Sequence, residues 1–220
     1  MKVEAVTFDV GGVIYSDDVF KRAIYAALQH FGAPVTTATF DSVYDKHLES
    51  QAGSLRSKLC IHFFGSLDLK SQLMEYATER WIFTDEDIYA DAKGVMVAMK
   101  KCGAKIALVA NQPASVIDTL KAHGIYELVD FAAISAIVGI EKPSPKIFSL
   151  ALSKLSVDPS RSIHIGNRID TDVIPAHRVG MKAVWVRRGE ANPNPSAQDL
   201  KIPEIVVSNL IGLPELIDAL

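Results

Sequence analysis

Asp9 follows directly on the short run Val3-Glu4-Ala5-Val6-Thr7-Phe8 and precedes Val10-Gly11-Gly12-Val13-Ile14. A carboxylate at the end of such a run can attack an electrophile such as phosphorus or an activated carbon, and the covalent intermediate splits one hard step into two. The paired glycines let backbone amides approach a bound group closely. Taken alone, a strand-ending Asp with glycines close behind it is more often a turn former than a nucleophile. Asp170 and Asp172, within Gly166-Asn167-Arg168-Ile169-Asp170-Thr171-Asp172, form a second acidic pair. Brought beside Asp9, carboxylates there would hold Mg2+ through oxygen ligands; at the first turn of a following helix, either would serve as a cap.

The elements that would carry these residues show in the hydrophobic patterning. Apolar, β-rich runs recur at 3–8, 105–110, 131–134, 162–165, 182–186 and 204–207, with turns and helical patterns between them. Strands alternating with helices predict a parallel sheet covered on both faces. Ligands of such sheets bind at the carboxyl ends of the strands, where strand order reverses. The stretch from about Asp18 to Asp85 breaks the alternation. Phe20, Ile24, Ala27, Leu28 and Phe31 form one helical stripe, and Leu69, Leu73, Tyr76, Ala77 and Trp81 another. A helical insert several times longer than an ordinary connection predicts a small second domain over the first strand's carboxyl end. The expected division is a core of residues 1–16 and 87–220 and a helical unit of residues 17–86. Gly189 to Pro203, rich in Pro, Asn and Ser, reads as a loop.

Composition narrows the classes of function. With 220 residues, 49% hydrophobic, and a net charge of -3, the chain can bury a sizeable core and is too balanced to advertise a polyanion partner. Lys100-Lys101 and Arg187-Arg188 are isolated basic pairs, not a phosphate-tracking stripe. No apolar stretch reaches the ~20 residues of a membrane span, and the start is unlike a signal peptide. Cys60 and Cys102 stand alone, with no partner at metal-ligand spacing. The expectation is a cytoplasmic protein with neither nucleic acid nor membrane as partner, its oligomeric state open.

Four strings then occur in one order: Asp9-Val10-Gly11-Gly12-Val13, the run ending Ala110-Asn111, Lys142-Pro143-Ser144-Pro145-Lys146-Ile147-Phe148, and Gly166 to Asp172 followed by Ala176 and Gly180-Met181. Together they resemble the four motifs of the haloacid dehalogenase-like hydrolase superfamily. The resemblance implies an α/β fold, a Rossmann-like doubly wound parallel sheet with a helical cap inserted between the first two motifs. It implies a hydrolase, and within that class a phosphatase acting on a small phosphorylated metabolite through an aspartyl-phosphate on Asp9. Lys142 is then the cation that neutralises the nucleophile and the transferred group. Gly11, Gly12, Ala110 and Asn111 become the phosphate-binding positions, and Asp9, the Gly11 carbonyl, Asn167 and Asp172 the ligands of Mg2+.

Three positions depart from the family pattern. Family phosphatases carry a second Asp two residues after the nucleophile, for proton transfer; here that position is Gly11. The second motif usually offers a hydroxyl where this chain has Ala110, and the fourth usually begins with Asp where this chain has Asn167. Asn167 and Asp170 are also similar to the Asn-x-x-Asp arrangement of metal-free haloacid dehalogenases, so that chemistry is one alternative. A family member that keeps the pocket only to bind a ligand or partner is another. Arg22, Arg56 and Arg80 are the insert's candidates for a substrate carboxylate. Tyr15, Asp17, Tyr44 and His47 are candidates to face the site from the insert and its hinge. His164, Trp81 and Trp185 fall in apolar patterns and read as core.

Overall fold

The computed structural model describes residues 3–51 and 54–220. The expected runs become six strands: β1 (Ala5–Phe8), β2 (Lys105–Ala110), β3 (Phe131–Ile134), β4 (Ser162–Gly166), β5 (Lys182–Val186) and β6 (Ile205–Val207). They form one sheet in the order β3-β2-β1-β4-β5-β6, every neighbouring pair parallel. The chain builds outward from β1 through β2 to β3, then restarts on the other side of β1 with β4. That reversal leaves a crevice beyond the carboxyl ends of β1 and β4.

Burial on two faces explains why these strands carry few polar residues. Val6, Phe8, Ile106, Leu108, Val184 and Val186 belong to one apolar cluster, whereas Ala5, Ala107, Val109, Ala183 and Trp185 belong to another. The alternation is the period of two that a pleated strand imposes. The first face is covered by α5 (Ala92–Lys101), α6 (Val116–Ala122) and α10 (Leu213–Asp218). The second is covered by α8 (Pro145–Leu155) and α9 (Ile174–Arg178), with Phe148 and Leu152 packed on the small residues of the sheet. A four-residue helix, α7 (Ser135–Val138), ends β3.

Between β1 and β2 lie four helices: α1 (Asp18–His30), α2 (Thr37–Ser50), α3 (Leu55–Phe64) and α4 (Lys70–Glu79). The first stripe holds as expected, with Phe20, Ile24, Ala27 and Leu28 buried on α1. Thr36 caps α2 in a reciprocal arrangement with Thr39, and Ser54 caps α3 by accepting from the Ser57 amide. The chain leaves and rejoins the core at adjacent points. The Ser16 amide donates to the Asp87 carbonyl at 2.7 Å, and Tyr15 pairs with Ile88 in an antiparallel bridge. Among the described residues, no helix is long and apolar enough to cross a membrane.

Candidate active site

Asp9 stands one residue past β1, its amide donating to the Ile165 carbonyl of β4 at 2.9 Å, so it opens into the crevice. Its Oδ1 accepts from the Val10 amide at 2.8 Å and lies 2.8 Å from Lys142 Nζ. Lys142 Nζ also meets Asp172 Oδ1 at 2.5 Å. The ammonium is buried and flanked by two carboxylates, which hold it charged and raise it above the ordinary lysine range against the opposing effect of burial. Burial, together with the Asp172 charge, pushes Asp9 up to about 7 despite the nearby ammonium.

Asp172 sits at the base of this arrangement, and four groups occupy its two oxygens. Oδ1 meets Lys142 and, at 3.6 Å, His164 Nε2. Oδ2 accepts from the amides of Asn167 at 3.1 Å and Arg168 at 2.9 Å. Burial works against ionisation, yet the Lys142 charge and the imidazole hold Asp172 well below the usual carboxylate range. His164, a core residue as expected, is fully buried; burial lowers it below the usual range, and its Nδ1 pairs with the Thr7 hydroxyl at 2.8 Å.

The second-motif residues act differently from the expectation. Ala110 is fully buried at the end of β2 and is not among the residues lining the cavity, so it presents nothing to a phosphate. Asn111 does line the cavity, but its side chain clamps the Lys142 backbone: Nδ2 donates to the Lys142 carbonyl at 2.9 Å, and Oδ1 accepts from the Lys142 amide at 2.8 Å. Both ends of the amide are occupied, which makes Asn111 a positioning residue for the ammonium. The Lys142–Pro143 peptide bond is cis. Gly12 also falls short as a phosphate donor, because its amide donates to the Tyr15 carbonyl at 2.7 Å. Gly11 faces the cavity, and its amide has no partner among the described residues.

Of the expected magnesium ligands, Asp172 is engaged elsewhere. Mg2+ demands near-ideal octahedral oxygen ligation, but Asp172 has both oxygens occupied as above. Asn167 turns its amide nitrogen, a donor, toward Asp17 Oδ2 at 2.8 Å and the Arg188 carbonyl at 3.3 Å. Among the described residues, no group of three His, Cys, Asp or Glu is arranged to hold a metal ion. Asp172 and the Asn167 nitrogen are thus committed to partners within the protein, and the cation beside Asp9 is Lys142.

The cavity over Asp9 has a volume of about 370 Å3. Its floor is Asp9, Gly11, Lys142 and Asn167; its roof is Phe20, Leu55, Arg56 and Trp81 from the insert. Trp81 is therefore buried, as expected, yet forms part of a wall, its ring 4.8 Å from that of Phe20, with the Arg56 guanidinium over both rings. Of the hinge candidates, Asp17 lines the cavity, whereas Tyr15 bonds to His123 Nδ1 at 2.7 Å away from it. Tyr44 donates to Glu190 Oε1 at 2.5 Å. His47 lies 3.4 Å from Arg168 Nη1, and burial first, then the Arg168 charge, lowers it to about 4. Gln112, Arg168 and Glu190 also line the cavity and were not expected there. Arg168 lay in plain view inside the fourth motif, but Glu190 sits in what reads only as a loop.

Known proteins bear on this geometry in two ways. The chain is 27% identical over 91% of its length to a glyceraldehyde 3-phosphate phosphatase of Pyrococcus furiosus, covering 83% of that protein. It is 31% identical over 54% of its length to one from Methanopyrus kandleri and to a phosphoserine phosphatase of Thermus thermophilus. In these two the match spans about half of the relative's own length, 52% and 48%. Among solved structures, β-phosphoglucomutase of Clostridium difficile superposes with a TM-score of 0.73 at 22% identity, covering 99% of this chain and 96% of that one. CbbY of Rhodobacter sphaeroides in complex with phosphate gives 0.74 at 18%, covering 96% of each chain; both likenesses show the fold. The family profile of haloacid dehalogenase-like hydrolases spans residues 3–180, which takes in Asp9, Asn111, Lys142 and Asp172, and the chain belongs to that family.

Proposed function

We propose that this hydrolase is a phosphatase of small phosphorylated metabolites, working through an aspartyl-phosphate on Asp9, with residues 17–86 acting as its cap. The observation that carries this reading is the pairing of Asp9 with the buried Lys142 ammonium, 2.8 Å away, on the floor of the cavity. An Asp9 oxygen attacks phosphorus, the bond from phosphorus to the ester oxygen breaks, and water then hydrolyses the acyl phosphate to regenerate Asp9. Lys142 offsets the charge gathered on the carboxylate and the transferred group. The Gly11 amide is available to a phosphoryl oxygen. The phosphatase names of the relatives support the same chemistry.

The dehalogenase alternative needs Asp170 free to act beside the substrate, and Asp170 does line the cavity. Arg168 holds both Asp170 oxygens, at 3.0 and 2.8 Å, which favours the phosphatase reading. The cofactor expected from the family, Mg2+, is not assigned a step. The experiment is phosphate release from p-nitrophenyl phosphate, glyceraldehyde 3-phosphate and phosphoserine, with Asp9→Asn as reference. The parent should release phosphate from at least one of them and the variant from none, at an unchanged thermal midpoint. Release by the variant at the parent's rate would end the covalent mechanism.

A further inference from the structure

Gly11 leaves the first motif without a proton donor, but the space beside it is filled. A Cβ built on Gly11 would stand 2.5 Å from Asp17 Oδ1, one on Gly12 would stand 2.6 Å from Asp17 Oδ2, and one on Gly189 would stand 2.2 Å from the same oxygen. Three glycines thus form a niche around a carboxylate that arrives from the start of α1. Asp17 occupies the N-cap position of that helix yet makes no capping hydrogen bond, although capping is the usual work of an Asp there. Its side chain turns instead toward the core.

The hydrogen bonds distinguish its two oxygens. Oδ2 accepts from Asn167 Nδ2 at 2.8 Å and from the Glu190 amide at 2.7 Å. Oδ1, the oxygen at Gly11, has no hydrogen-bond partner among the described residues and belongs to a residue that lines the cavity with Asp9. Two N–H groups directed at Oδ2 keep that oxygen an acceptor, so a proton on this carboxyl group resides on Oδ1, the oxygen beside Gly11.

We propose that Asp17 is a catalytic residue, supplying from the insert the acid and base that the first motif lacks at position 11. The assignment rests on the phosphatase reading above. In the first step Asp9 attacks phosphorus, the ester bond breaks with its electron pair passing to the leaving oxygen, and that oxygen takes the proton from Asp17 Oδ1. In the second, water attacks the aspartyl-phosphate and gives its proton to the Asp17 carboxylate, releasing phosphate and restoring both residues. Around Asp17 stand the carboxylates of Asp9 and Glu190 and the phenols of Tyr44 and Tyr89, with Asp18 and the Arg188 guanidinium on Tyr89 beyond.

Asp17→Asn is a clean test, because its amide oxygen can accept the same two N–H groups. Rapid-quench turnover of p-nitrophenyl phosphate and phenyl phosphate should separate the two steps. With the better leaving group the variant should release one nitrophenolate per site in a burst, then turn over roughly 10²–10⁴-fold more slowly than the parent, since hydrolysis of the aspartyl-phosphate has lost its base. With phenyl phosphate the first step should be slowed as well, so the ratio of the two burst-phase rates widens at least tenfold over the parent, while the steady-state rates converge on hydrolysis of the shared aspartyl-phosphate. An unchanged ratio, whether both rates hold or both fall together, overturns the role of Asp17 while leaving Asp9 as nucleophile. A parent that releases no phosphate from either ester, and no more than Asp9→Asn, overturns the phosphatase reading and this assignment with it.

Discussion

Removing the ammonium at position 142 leaves Asp9 and Asp172 facing each other with nothing between them, both largely withdrawn from water. Breaking a buried pair by deleting one partner costs about 3–5 kcal/mol. Lys142→Met should therefore lower the thermal midpoint clearly and reduce turnover by orders of magnitude; calorimetry and phosphate release check the two effects separately, and parent-like values in both would make Lys142 a bystander. The nucleophile also predicts a pH profile. Asp9 titrates near 7 because burial penalises its charge, and only the ionised form attacks. Activity, measured as kcat/KM, should rise as pH increases through about 7 and fall away below it; a profile flat from pH 5 to 8 contradicts this. Asp9 and Lys142 were legible because each lies in a short string of its own. Asn111 was not. Its partner is the backbone of Lys142, 31 residues further on, and no local pattern says whether an amide will face a ligand or a neighbouring chain.

The strands were legible almost to the residue, since a run buried on both faces has little choice of composition: β2 and β5 coincide with their expected spans, and β1 and β6 start two residues and one residue later. The insert's helices were legible as stripes, but its grip on the core was not, because the grip is polar. Gln51, which ends α2, accepts from the Ile169 amide at 3.0 Å and donates to the Glu190 carbonyl at 3.0 Å, so one side chain ties the insert to two core loops. Losing two hydrogen bonds of about 0.5–1.5 kcal/mol each shifts a closed arrangement toward an open one by about 1–3 kcal/mol. Gln51→Ala should raise KM by about 5- to 150-fold with little change in the thermal midpoint; an unchanged KM would mean that the contact is incidental.

The apolar cluster does not stop at the edge of the insert: Ile24, Leu28, Leu59 and Leu73 of the insert belong to the same cluster as Ile106, Leu108 and Leu120 of the core. A shared cluster predicts one cooperative unfolding transition. Far-ultraviolet circular dichroism and Trp fluorescence, with Trp81 in the insert and Trp185 in the sheet, should give coincident midpoints; two separated transitions would show independent units. The hinge adds a consequence of its own. Because Ser16 and Asp87 are neighbours, an insert of another length can be joined at the same two points, provided that it covers the apolar cluster shared with Ile106 and Leu108. Asp17 is the first residue beyond that hinge. A graft cut at the hinge would remove it with the roof and leave a donor's residue in the glycine niche, so a chimera that keeps its leaving-group chemistry is one whose junction falls after residue 17.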